Sequence, residues 1–202
     1  MSWLDTFRNP ELSLIGDYSG KLVNKALDGA KAICQLSEAE SDGERHGLNK
    51  FQLISVFSEF LFFYLHLTDR YAFGNMDEQR RSKIMSELER CSIHIGVEAI
   101  LEVYCKEWSL DEAEKIRKEC MQNFSASMKQ YSQHQNLFPE SGNTTYDHIK
   151  ANTVFAGFAG QIAELAGQSE NLSCFVCALD HSQIALKNLG VGRFIETAKA
   201  IQ

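Results

Sequence analysis

Proline is nearly absent from this sequence, which has only Pro10 and Pro139 among its 202 residues. Because a proline inside a helix removes a backbone hydrogen bond and clashes with the preceding turn, this scarcity permits long uninterrupted helices. The strict alternation of apolar and polar residues that marks a strand is also missing, and apolar residues recur instead at helical spacing. We therefore predict an all-α protein, a single-domain bundle of six to seven helices spanning residues 1–202, with residues 1–15 loosely attached.

The chain also lacks a clustered basic surface. Its formal net charge is −7, and the short basic group of Arg80, Arg81 and Lys83 lies among acidic neighbours, as on a solvated helix face. Binding to a phosphate backbone requires lysine and arginine side chains that are gathered on one surface. We therefore expect no nucleic-acid partner.

Targeting and membrane signals are missing as well. The N-terminus has no basic segment followed by an apolar one, so we expect no signal peptide. The longest apolar stretch, residues 53–67, is interrupted by Ser55, Ser58, Glu59 and His66, and it is too short and too polar for a bilayer span. The cysteines lack the dense spacing of a secreted disulfide scaffold. These features favour a cytoplasmic protein with no membrane partner.

Two helices stand out in the pattern of apolar residues. The densest aromatic run, FQLISVFSEFLFFYLHLTDR at residues 51–70, predicts a long helix near residues 49–73, which we interpret as the central packing helix. An Ala/Gly-rich helix is predicted near residues 145–167. Its small residues gather on one side and its large apolar residues on another, so we expect it to pack against neighbours on two faces.

One face of the aromatic-rich helix carries a polar stripe. At the helical spacing of about 100° per residue, the stripe occupies an arc of roughly 120°. Phe62 lies inside the same arc, which indicates that another helix or a partner protein covers part of the stripe. A carboxylate beside an imidazole could form an acid/base pair or supply metal ligands. We nevertheless expect the stripe to face mostly water. Its charged members are Glu59, His66, Asp69 and Arg70.

The same stripe also fits the wall of a ligand cavity. Small-molecule sites combine aromatic and apolar walls with a few orienting polar groups. Phe62 would supply an aromatic wall, and Glu59, His66 or Arg70 would orient the ligand. This interpretation predicts a cavity between the aromatic-rich helix and the Ala/Gly-rich helix.

Cys174 and Cys177 are the one cysteine pair with the spacing of a metal or redox site. His181 continues the same helix face, and a zinc ion held by these three side chains would still need a fourth ligand. Burial of free cysteines as small apolar side chains is the simpler interpretation. His94 and Glu98 also share a helix face, but the chain contains no Glu-x-x-His motif of the kind that di-iron bundles repeat. No cofactor is predicted.

Familiar catalytic signatures are absent from the sequence, which contains no Walker loop, nucleophile elbow or zincin motif. The leading hypothesis is therefore non-enzymatic: a protein-interaction or self-associating module, with a second copy or another protein as its partner. Trp3, Phe7 and Trp108 are candidates for a subunit contact. The alternatives are a small-molecule-binding bundle with a pocket near Phe62 and His66, and a metal or redox protein that uses Cys174, Cys177 and His181.

Overall fold

Seven helices and no strand form the part of the chain that the structure, a computed structural model, describes: residues 9–40, 47–104, 108–138 and 152–201. The prediction of an all-helical bundle with six to seven helices is confirmed. The predicted start of the Ala/Gly-rich helix near residue 145 lies outside the described residues. The helices are α1 (Pro10–Glu40), α2 (Lys50–Phe73), α3 (Glu78–Tyr104), α4 (Leu110–Tyr131), α5 (Val154–Leu165), α6 (Leu172–Leu189) and α7 (Val191–Ala200).

The aromatic-rich helix, α2, is the centre of the bundle, and helices α1, α3, α4, α5 and α7 pack against it. Every residue from 56 to 68 is buried, so the helix is covered on all of its faces over this stretch. Aromatic rings provide much of the contact. Phe63 stacks on Phe158 of α5 with ring centroids 4.1 Å apart, and it meets the edge of Tyr131 of α4 at 5.5 Å. Such pairs add about 0.5–1.5 kcal/mol each beyond the apolar area that they bury.

The length and hydropathy of α2 correct one expectation from the sequence. Helix Lys50–Phe73 is long and apolar enough, by these two measures, to cross a bilayer, because it extends beyond the interrupted stretch at residues 53–67. In the structure, however, 78% of its most apolar window is buried inside the bundle. The core helix of a soluble protein passes the same test, so the burial of α2 accounts for its composition.

The first helix begins at Pro10, where a missing backbone N–H costs nothing. Asn9 caps it, since its side-chain oxygen accepts hydrogen bonds from the backbone nitrogens of the first turn. Glu11 is buried and forms ion pairs with Arg80 at 2.5 Å and Lys83 at 2.7 Å, both on α3. Residues 1–8 lie outside the described residues, and from Pro10 onward this segment is tied to the bundle.

Two glycines allow neighbouring elements to approach closely. A Cβ atom added to Gly29 of α1 would lie 2.6 Å from the ring of Phe60, which is closer than real side chains come. A Cβ atom added to Gly157 of α5 would lie 2.7 Å from Nε2 of His134, which follows α4. The second contact places α5 directly against the segment that leaves α4.

Candidate functional site

A cleft of about 520 Å³ opens where α4 and α5 both pack on α2. Helix α2 forms its floor, α4 forms the longer wall, and Gln161 and Leu165 of α5 form the opposite wall. Cavities of about 300–1,000 Å³ are typical of small-molecule sites. The cleft lies between the aromatic-rich and Ala/Gly-rich helices, but most of its second wall comes from α4, and of Phe62 and His66 only Phe62 lines it.

Side-chain contacts set α4 parallel to α2 along the cleft. Lys50 and Glu112 form an ion pair where the two helices begin. Further along, the rings of Phe62 and Phe124 meet edge to face at 5.4 Å. The helix starts are defined locally, because Asn49 caps α2 and Ser109 caps α4 through their side-chain oxygens.

Glu59 lies at the floor of the cleft and is only 4% exposed. Its Oε1 accepts a hydrogen bond from the hydroxyl of Tyr131, and its Oε2 accepts one from Oγ of Ser127 at 3.1 Å. Among the described residues no ion pair includes Glu59. Burial raises the pKa of its carboxyl, and the two hydroxyl hydrogen bonds offset only part of that effect.

Tyr131 connects the floor of the cleft to the interior. It is fully buried, and burial together with the neighbouring Glu59 raises its pKa well above the usual value. Its ring contacts Phe63 on one side and the imidazole of His66 on another, with a centroid distance of 5.3 Å to the latter. The phenol is therefore a neutral hydrogen-bond donor at ordinary pH, held in place by aromatic packing.

His66 is buried as deeply as Glu59 but does not line the cleft. Neither of its ring nitrogens has a hydrogen-bond partner in the described part of the chain. Burial, with smaller contributions from Arg70 and His134, lowers its pKa to about 4. The imidazole is therefore neutral at ordinary pH, as desolvation of the charged form predicts.

The expectation that the polar stripe faces water is wrong for Glu59 and His66. Helical periodicity places these residues on one face, but α4 covers that face with the hydroxyls of Ser127 and Tyr131 and with the ring of Phe124. Covering polar side chains with hydroxyl groups satisfies a carboxylate without water. Phe62, which the sequence placed in the same arc, is buried and lines the cleft.

Asp69 and Arg70 lie at the far end of the stripe and connect α2 to α3 and to the segment that follows α4. Asp69 forms an ion pair with Arg81 of α3 at 3.5 Å. Arg70 donates hydrogen bonds to the backbone oxygens of His134 at 2.9 Å and Gln135 at 2.7 Å. These contacts hold the segment after α4 against α2, and neither side chain lines the cleft.

The cysteine pair lies elsewhere, on α6. Cys174 is fully buried in the first turn, and Cys177 is half-buried with a pKa that burial and the nearby Asp180 raise. In the described ranges, no group of three or more His, Cys, Asp or Glu side chains is arranged to hold a metal ion, so Cys174, Cys177 and His181 do not form such a set. His94 and Glu98 are exposed, and Glu98 pairs with Arg117 at 2.7 Å.

Sequence reasoning missed the residues that complete the site. Ser127 and Tyr131 lie 68 and 72 positions from Glu59, and nothing local to α2 indicates them. Gln161 of α5 lines the cleft as well, and its side-chain oxygen is buried and has no hydrogen-bond partner among the described residues. A polar residue on an otherwise apolar and small-residue helix was the available signal.

Comparison with known proteins supplies no relative for this chain. No family model, no curated protein and no solved structure matches it. The function of the cleft must therefore be inferred from the residues that line it.

Proposed function

We propose that this protein is a small-molecule-binding helical bundle whose ligand occupies the cleft over α2, between α4 and α5. The observation that carries this proposal is the pairing of an apolar-walled cavity with one buried carboxyl at its floor. Ligand sites in proteins have this composition, since apolar walls provide affinity and a few polar groups provide orientation. The side chains of Ile54, Phe62, Ile116 and Leu165 supply the apolar walls.

The chemistry of the cleft favours binding over catalysis. Its one thiol, Cys120, shares a hydrogen bond with Ser58 across 3.4 Å, and burial raises its pKa, which disfavours the reactive thiolate. The hydroxyls of Ser127 and Tyr131 are engaged by Glu59. His66, the nearest histidine on α2, is outside the cleft. No described group is arranged as an activated nucleophile with its base.

A cleft-blocking substitution tests the proposal. Ala126 is an exposed residue of α4 that lines the cleft, so Ala126→Trp fills the cavity without entering the core. The neighbouring Ser125 is exposed and does not line the cleft, and Ser125→Trp is the matched control. With the neutral fluorophore Nile red as the probe, we expect saturable binding to the wild type and to Ser125→Trp. Binding to Ala126→Trp should weaken about tenfold or more, which corresponds to about 1.4 kcal/mol. Equal binding by all three proteins would contradict the proposal.

Self-association is a second candidate function, and exposed apolar side chains favour it. Phe51 is 79% exposed and Leu110 is 78% exposed, and they lie where α2 and α4 begin side by side. Of the contacts predicted from the sequence, Trp3 and Phe7 lie outside the described residues, and Trp108 packs half-buried against the core. Exposed aromatic and apolar side chains that cluster on one surface are typical of subunit contacts.

Sedimentation velocity tests the second candidate. If two copies meet at this patch, a double substitution of Phe51→Ser with Leu110→Ser converts a dimer into a monomer. Leu172→Ser, at an exposed residue of α6, is the control and leaves the dimer intact. A wild-type protein that stays strictly monomeric at high concentration would end this hypothesis.

A further inference from the structure

We propose that the ligand of the cleft is an amphipathic primary amine, with its ammonium group on Glu59 and Gln161 and its apolar body along the walls. This inference rests on the proposed binding function and names the ligand class. It starts from the buried carboxyl. Glu59 receives two hydroxyl hydrogen bonds, yet no cation neutralises it in the described part of the chain. Burial alone favours the neutral form of this carboxyl, and a positive charge brought by a ligand would stabilise the ionised form.

A second acceptor lies in the same cleft. The side-chain oxygen of Gln161 is buried and without a hydrogen-bond partner among the described residues. A buried acceptor without a hydrogen-bond partner destabilises the protein. A ligand that donates to both Glu59 and Gln161 removes that cost. An ammonium group has three N–H donors and one positive charge, and it accepts no hydrogen bond.

The charges around the cleft also favour a cation. Three carboxylates line it, from Glu59, Glu112 and Glu119, against two ammonium groups, from Lys50 and Lys115. Lys50 is paired with Glu112 at the entrance. The lining has only one carboxyl more than it has ammonium groups, so the preference for a cation depends on Glu59 at the floor. An anionic ligand would meet the buried carboxyl at the floor and is disfavoured.

The apolar walls of the cleft indicate what the remainder of the ligand should be. Phe62, Ile116 and Leu165 lie along the walls beyond the carboxyl, so an alkyl or aryl body extending from the amine contacts apolar side chains. A strongly hydrated amine without such a body would gain only the ion pair. An alkyl alcohol would gain the apolar contact and one donated hydrogen bond, but no ion pair. The combination distinguishes the proposed class from both.

The test compares three probes that share one body, hexylammonium, 1-hexanol and hexanoate, by calorimetry on the full chain. We expect hexylammonium to bind the wild type at least about tenfold more tightly than either of the others, a factor of ten being 1.4 kcal/mol. The isosteric variant Glu59→Gln should remove this preference, so that hexylammonium binds no more tightly than 1-hexanol. Should that variant not fold, Gln161→Leu serves instead and weakens hexylammonium selectively.

The outcomes separate this inference from the proposed function. If the three probes bind equally well and Ala126→Trp abolishes binding of all three, the ligand class is wrong and the binding cleft stands. Stronger binding of hexanoate would overturn the class in the same way. If none of the probes binds and Nile red does not bind either, both proposals fail together.

Discussion

Glu59 and His66 lie on the same stripe of α2 and are equally buried, yet their surroundings in the structure differ. Glu59 faces a cleft and accepts hydrogen bonds from two hydroxyls, whereas His66 is sealed in the interior with no partner among the described residues. Burial raises the pKa of the first and lowers that of the second. Both shifts favour the neutral form, so burial explains the pKa values, and access to the cleft decides which residue can meet a ligand.

The largest expected loss of stability comes from replacing Phe63, an aromatic side chain of α2 that lies between Glu59 and His66 in sequence. Phe63 contacts Phe155, Phe158 and Tyr131, and Phe63→Ala should lower the free energy of unfolding by about 3–5 kcal/mol. The same substitution at the exposed Phe51, on the same helix, should change it by less than about 0.5 kcal/mol. Urea unfolding measures both. Similar losses for the two variants would show that α2 is not the packing centre.

Removal of the Tyr131 hydroxyl affects Glu59 and leaves the contact with His66 in place. Tyr131→Phe keeps the ring against His66 and removes the hydrogen bond to Glu59, so unfolding should become easier by about 1–3 kcal/mol. The pKa of Glu59 should rise further, because a hydrogen bond that favours the carboxylate is lost. Tyr18→Phe, which removes a hydroxyl contact with Thr68 at 3.3 Å, is the control and should cost about 1 kcal/mol. No change in Tyr131→Phe would mean that this hydrogen bond does not stabilise the fold.

The pH dependence of stability tests the opposite pKa shifts directly. For His66, the folded pKa of about 4 lies below the unfolded value of 6.5, so the unfolded chain binds more protons between these two values. Its contribution therefore makes stability fall as the pH drops from about 6.5 to about 4. For Glu59 the folded pKa lies above 4.5, so its contribution makes stability fall as the pH rises through that raised value.

Unfolding curves between pH 4 and 8 distinguish the two contributions. His66→Leu should flatten the decrease toward low pH, and Glu59→Gln should remove the decrease toward higher pH. If His66→Leu retains the full decrease toward low pH, then His66 is not the group responsible.

The smallest effect is expected at the half-buried end of the stripe. Asp69 pairs with Arg81 at 3.5 Å near the surface, and Asp69→Asn should change the free energy of unfolding by less than about 1 kcal/mol. Arg81→Met should have a similar effect, and the double variant measures the coupling between the two side chains. A loss well above 1 kcal/mol would place Asp69 with the buried members of the stripe.

Local patterns account for the part of the structure that could be predicted. The helix near residues 49–73 was predicted because its apolar side chains recur at helical spacing, and Asn49 and Gly74 bound it as local signals. The same signals could not identify what covers the stripe. Polar residues at helical spacing mark one face of a helix, and that face can meet water or a neighbouring helix that carries hydroxyls. Phe62 was the residue that pointed to the second case, and it packs on Phe124 of α4.

The sequence by itself determined that this chain folds as helices and that α2 is its most apolar long helix, because both follow from interactions within a few residues. Only the tertiary structure decided that Glu59 meets Ser127 and Tyr131 at the floor of a cleft while His66 is sealed beside it. Those partners are 68 and 72 residues from Glu59, and their approach depends on how α4 packs on α2. Periodicity specifies the face of a helix, and packing specifies which neighbour covers that face.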